Sequence, residues 1–192
     1  MRRSLLLSAA LPAVAALALA GCASEADTTS SASPVPSESV DCSPEALQTL
    51  TPGTLTVGTD SPAYPPYFED DDPSNGKGFE SAVAYAVADE LGFTQDQVTW
   101  VTVPFNKSYA PGAKDFDFDI NQISITPKRQ KAVDFSEGYY TVNQAVVALE
   151  DSYIANATTL AELQEAKLGA QVGTTSLDFI TEDIQPTQQP MV

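Results

Sequence analysis

Ser124-Ile125-Thr126-Pro127-Lys128-Arg129 places a hydroxyl, a helix-start signal and a guanidinium side by side. Apart from Arg2 and Arg3, Arg129 is the only arginine in the chain. The chain otherwise carries 26 Asp and Glu against 9 Lys and Arg, for a formal charge of −17. Thr126 is placed to cap a helix and Pro127 to sit in its first turn. Free N–H groups and the dipole at such a start favour an anion. Arginine adds a rigid fork of donors that takes a carboxylate bidentately. The chemistry implied is capture of a carboxylate. The plainer alternative is a surface arginine paired with a neighbouring acid. With no histidine and two cysteines, the usual metal-site and histidine-dependent catalytic constellations are absent, so neither a metal nor a cofactor is expected.

The elements that must position Arg129 alternate between strand and helix. Thr54 to Gly58 is a β-prone run behind Pro52-Gly53. Pro62 to Asp72 reads as an irregular loop, and Asp70-Asp71-Asp72 as a solvated turn, since it lacks the glycine and terminal glutamate of a calcium loop. Phe79, Val83, Val87 and Leu91 recur every four residues with alanines between, which predicts an amphipathic helix stopped by Gly92. Strands are expected over Val98 to Val103, Phe118 to Ser124 and Lys167 to Val172, with an extended run from Thr141 to Leu149. Thr159 and Glu162 have capping-box spacing for a helix to about Ala166, and Ser176 to Ile184 predicts another. This order implies an α/β chain with a mostly parallel sheet, whose ligands sit beyond the carboxyl ends of strands.

The N-terminus reads as targeting sequence. Arg2 and Arg3 precede a short apolar stretch, Leu5 to Leu19, that ends in Leu19-Ala20-Gly21-Cys22. The tetrapeptide resembles a bacterial lipobox, which implies lipidation of Cys22 and a location at the outer face of the cell membrane, held by acyl chains. Removing this segment leaves 9 − 2 = 7 basic against 26 acidic residues, a charge of −19. Such a charge argues against nucleic acid as a partner, because phosphate contacts need Lys and Arg. Residues 23–45, rich in Ser, Thr, Ala and Pro, read as a flexible tether. Once Cys22 is lipidated, Cys42 is an odd cysteine, which suggests either a partner outside this sequence or a free thiol.

The chain is similar to the extracellular solute-binding proteins of ABC importers for polar amino acids. The resemblance runs from about Leu55 to Gln185. It rests on Val57-Gly58-Thr59-Asp60, Tyr64-Pro65-Pro66-Tyr67, Gly78-Phe79-Glu80, Phe116-Asp117, the Ser124–Arg129 stretch, Val133-Asp134-Phe135-Ser136 with Tyr139-Tyr140, and Gln171-Val172-Gly173-Thr174-Thr175-Ser176. It implies a two-lobe, type II periplasmic-binding-protein-like fold, with residues 46–145 forming most of the first lobe and 146–192 part of the second. It implies a monomer that takes an amino acid between its lobes and passes it to permease subunits. Arg129 would clamp the ligand carboxylate, helped by the Ser124 hydroxyl and the Thr175 N–H. The Gln122 carbonyl would accept from the α-amino group, with Asp60 as a charged helper. Tyr64 and Phe105 would line the side-chain pocket, and Gln171 would meet the ligand side chain. Asp117, Asp134 and Glu80 are expected to serve as caps and loop anchors.

The sequence departs from the family pattern at two places. Family members usually carry glycine where Gln122 stands, and they continue past Val192, so an incomplete second lobe is expected. Two further readings of the same fold stay open at this point. One is a sensor module that signals occupancy. The other is a dehydratase-like enzyme, which needs a positioned general acid or base.

Overall fold

The computed structural model describes Asp41 and residues 43–192. The targeting segment with Cys22, the tether up to Val40, and Cys42 lie outside them. The folded chain is α/β. Strand β1, Leu55–Thr59, lies between β2, Val98–Thr102, and β3, Phe118–Asp119, and both pairings are parallel. β1 is the central strand and is buried along its whole length. That matches a parallel strand covered on both faces. No helix among the described residues is long and apolar enough to cross a membrane.

Helix α1, Phe79–Glu90, forms where the four-residue period predicted it, but with a different face inward. Glu80, Ser81, Ala84 and Ala88 are buried, whereas Phe79, Val87 and Leu91 are each more than a third exposed. Ala84 and Ala88 join Leu55 and Val57 of β1 in one apolar cluster, so the alanine stripe is buried and the large residues flank it. The helix start is fastened to the loop before it. The amides of Phe79 and Glu80 donate to the carbonyls of Pro66 and Tyr67 at 3.0 and 2.9 Å. Gly78 has φ +90, and a Cβ there would lie 2.5 Å from the Tyr67 carbonyl oxygen. Only glycine fits this junction.

Apolar side chains form two separate clusters. Leu55, Val57, Phe68, Ala84, Phe93 and Ile120 make the first, with Trp100 packed edge-on to Phe68 at 5.9 Å. Leu163, Ala166, Leu168, Ile180 and Ile184 make the second. A short helix α2, Phe105–Ser108, follows β2, and was not expected from the sequence. Helix α3, Thr175–Phe179, continues into a π-helical turn, Ile180–Ile184, in which the Gln185 amide reaches the Ile180 carbonyl at 3.0 Å.

Three expected strands are shorter than their sequence suggested. The Phe118 to Ser124 strand stops at Asp119, with one more ladder bond from the Ile120 amide to the Gly58 carbonyl at 2.9 Å. It stops because Gln122 turns to φ +48 and gives its amide to the Glu80 carboxylate at 2.7 Å, away from any strand. Lys167 to Val172 reduces to one parallel bridge, Gly169 with Met191. Thr141 to Leu149 pairs with no strand among the described residues, and Val147 is 94% exposed. The Thr159–Glu162 capping box is present, but it starts a 3-10 turn, Leu160–Leu163, in place of a longer helix. Asp71 accepts the Ala63 amide at 2.6 Å and Asp72 the Ser74 amide at 2.9 Å, as the turn reading requires.

Candidate functional site

Arg129 stands at the first residue of a 3-10 turn, Arg129–Lys131. The Thr126 hydroxyl accepts its amide at 3.2 Å, but the helix expected after Thr126 reduces to this short turn, whose N-cap position is Lys128 without a side-chain bond. The side chain is 6% exposed. Its two terminal nitrogens donate to main-chain carbonyls, one to Ser124 at 2.7 Å and the other to Gly173 at 2.8 Å. Among the described residues no carboxylate takes part. The guanidinium lies over the Tyr109 ring at 4.3 Å and near the Phe105 ring at 5.6 Å. A buried cation needs compensation. Here two carbonyl dipoles and two aromatic faces supply it.

The turn before α3 meets this fork. Gly173 has φ +80, and Thr174 caps α3, its hydroxyl accepting the Leu177 amide at 3.2 Å. Thr175 is the first residue of α3, where an amide has no intrahelical acceptor. Its hydroxyl lies 3.3 Å from that of Ser124. The Gln144 amide also reaches the Thr175 hydroxyl at 3.3 Å, and the Ser176 hydroxyl donates back to Gln144 at 2.8 Å. Ser124, Arg129, Thr175 and Phe105 are therefore brought together.

The other expected residues are placed differently. Asp60 is an anchor: one carboxylate oxygen accepts the Phe105 amide at 3.2 Å, which holds the start of α2, and the other accepts the Ser61 amide at 2.8 Å. Asp60 also borders a separate cavity of about 460 Å³ between the 60–74 loop and β2, which contains none of the Arg129 group. Tyr64 is 67% exposed and is not drawn into the cluster. Gln171 is exposed and contributes its carbonyl, which accepts the Thr174 amide at 3.3 Å and hydroxyl at 2.7 Å. Gln122 turns its side chain to Glu80, leaving its carbonyl without a donor among the described residues.

Glu80 is wholly buried beneath this loop and accepts from the Gln122 amide, the Gln122 side chain and the Tyr139 hydroxyl. Burial pushes its carboxyl above the usual range, and those hydrogen bonds pull it back. Burial and the Glu80 charge push the Tyr139 phenol up as well. Asp119 lies at the end of β3, and its two oxygens meet no protein partner. Burial, then the charges of Glu80 and Asp60, raise it from 3.8 to about 7, against the pull of Lys114. Asp117 is the loop anchor expected, taking the amides of Leu50 and Thr56, both at 2.7 Å.

Three residues of the site escaped the sequence reading: Tyr109, Asn106 and Gln144. A signal existed for the first. Phe105 and Tyr109 are four apart, the spacing that stacks two side chains on one helical face, and their rings meet edge-on at 5.6 Å. Gln144 offered none, because its partners come from a segment thirty residues away.

Residues 55–187 match the model of the bacterial extracellular solute-binding proteins, family 3. The chain belongs to that family. It is 34% identical over 120 residues to the arginine-binding extracellular protein ArtP of Bacillus subtilis, covering 62% of this chain and 44% of that protein. It is 30% identical over 124 residues to ABC transporter arginine-binding protein 1 of Escherichia coli, covering 64% and 48%. It is 29% identical over 133 residues to the lysine/arginine/ornithine-binding periplasmic protein of Escherichia coli, covering 68% and 48%. The chain spans about half the length of these relatives.

Proposed function

We propose that this chain is the substrate-binding component of an ABC-type amino-acid importer, a binder and not an enzyme, which takes an amino acid at Arg129 and delivers it to membrane permease subunits. The observation that carries this is the state of Arg129. A charged fork buried in an acidic protein is left to two carbonyls, with no acid spent on it. Carbonyls are weaker partners than a carboxylate, and a ligand carboxylate can replace both at once. The Ser124 hydroxyl and the Thr175 amide stand beside that position, and the Gln122 carbonyl is available for the α-amino group. The names of the relatives favour a cationic amino acid, and the aromatic faces of Phe105 and Tyr109 suit its aliphatic stem. We place residues 46–145 in one lobe and 146–192 in the other, and the anchor at Cys22, outside the membrane.

The test is calorimetry of the purified protein with L-arginine, L-lysine, L-histidine and L-cystine, and with agmatine, which is arginine without its carboxylate. Micromolar or tighter binding of at least one amino acid, none of agmatine, and loss in Arg129→Ala are expected. Equal binding of arginine and agmatine, or undiminished affinity in Arg129→Ala, overturns the assignment.

A further inference from the structure

The ring of Tyr109 floors the guanidinium of Arg129 at 4.3 Å, while its hydroxyl lies 2.9 Å from the Gly173 carbonyl. That same carbonyl accepts from Arg129 at 2.8 Å. The Tyr109 hydroxyl is also set to donate to the Asn106 side-chain oxygen. A phenol has one proton and can satisfy one acceptor. The structure sets both the Asn106 Oδ1 and the Gly173 carbonyl as acceptors of that hydroxyl, so the proton serves Gly173 once the Asn106 amide is turned to present its NH2 to the phenol oxygen. The turn is fitted to this pair. Gly173 is at φ +80, and a Cβ there would run into the Asn106 amide and lie 2.7 Å from the Tyr109 oxygen. Tyr109 thus joins α2 to the turn before α3 through a contact independent of any ligand.

We propose that Tyr109, braced by Asn106, is a clasp that holds the Gly173–Thr175 turn against the Arg129 fork and thereby sets how long a carboxylate ligand stays bound. The proposal rests on the reading of Arg129 as a carboxylate fork. When a carboxylate takes that fork, the Gly173 carbonyl loses its bond from Arg129. Tyr109 is then the side chain that keeps the turn in place, with the Thr175 amide and hydroxyl beside the ligand. Tyr109 is a positioning residue. It acts through Gly173 and through the orientation of Arg129, so its loss speeds release and leaves capture unchanged.

The experiment uses radiolabelled L-arginine in a chase assay on wild type, Tyr109→Phe, Tyr109→Ala and Tyr109→Phe/Asn106→Ala. Phenylalanine keeps the ring over Arg129 and removes only the latch. One neutral hydrogen bond corresponds to about a fivefold change in the release rate. Tyr109→Phe is expected to release about fivefold faster with an unchanged association rate, and Tyr109→Ala faster again because the cation–π face is gone. Adding Asn106→Ala to Tyr109→Phe should change nothing further, since Asn106 acts through the hydroxyl. Unchanged release in Tyr109→Phe, or an effect confined to association, overturns the clasp.

A second readout needs no ligand, and so separates failure of the clasp from failure of the amino-acid reading. Hydrogen exchange at the amides of Thr174, Leu177 and Asp178, which bond within this turn, should rise severalfold in Tyr109→Phe. Exchange at Val57 and Gly58 in β1 should not change. If wild type takes up no L-arginine but these amides are loosened, the clasp stands and the ligand assignment falls. If they exchange as in wild type, the clasp falls whatever binds.

Discussion

Replacing Asp119 by asparagine should stabilise this protein near neutral pH and flatten the pH dependence of its stability. The carboxylate ends β3 directly beside Gly58 of β1, both oxygens are without a protein partner, and Glu80 and Asp60 add negative field. Its folded-state value of about 7 stands above its ordinary 3.8. Below pH 3.8 the group is protonated in both the folded and the unfolded chain, and its contribution is complete. Between 3.8 and about 7 only the folded chain holds the proton, so stability falls as pH rises. Above 7 the loss is complete. At 1.36 kcal/mol per pH unit, this interval is worth at most about 4 kcal/mol. Relaxation and water entry make about 2 kcal/mol the expected size. The assay is urea unfolding followed by fluorescence of Trp100, the single tryptophan, which packs in the first cluster. Wild type should lose stability between pH 5 and pH 8. Asp119→Asn should lose much less and exceed wild type at pH 8. The remaining slope belongs to Glu80, which is raised in the same direction. Equal slopes in the two proteins, or a variant weaker than wild type at pH 8, would refute the argument that Asp119 is a buried carboxylate without compensation.

Glu80→Ala should cost about 3 kcal/mol in the same assay, since it strands the Gln122 amide and the Tyr139 hydroxyl beneath the Ser124 loop. A loss under 1 kcal/mol would mean that water replaces the carboxylate. Gly78→Ala combines a left-handed backbone with a clash against Tyr67, so a loss above about 3 kcal/mol is expected, or failure to fold, read by circular dichroism. Thr159→Ala removes half of a capping box whose Glu162 carboxyl is held below the usual range by the amides of Thr158 and Thr159. About 1 kcal/mol should be lost in urea, with no change in the binding of any amino acid.

Turns and caps were legible because they are local. The Thr126–Arg129 contact, the Thr159–Glu162 box, the Asp72 turn and the extent of α1 each depend on residues within a few positions of one another. The parallel order of β1 and β2 followed from their separation by a helix. The proposal that Arg129 takes an anion starts from a sequence that, past Arg2 and Arg3, keeps one arginine among 26 acids.

What tertiary structure decided was every feature made by long-range contact. Which face of α1 is buried depends on what packs against it, and here Ala84 and Ala88 meet the cluster around Leu55, Val57 and Phe68. The early end of β3 depends on Glu80, forty residues before Gln122, competing for an amide that a strand would have used. Asp60 became the anchor of α2, and Tyr64 stayed outside the cluster, because backbone amides and loop geometry fixed their directions. Tyr109, Asn106 and Gln144 entered the site because α2, the 173–175 turn and the 141–149 run converge on Arg129. Sequence determined which groups were available for this chemistry and where the chain must turn. Their convergence was decided by packing, because hydrogen bonds and buried contacts between distant segments leave no periodic trace along the chain.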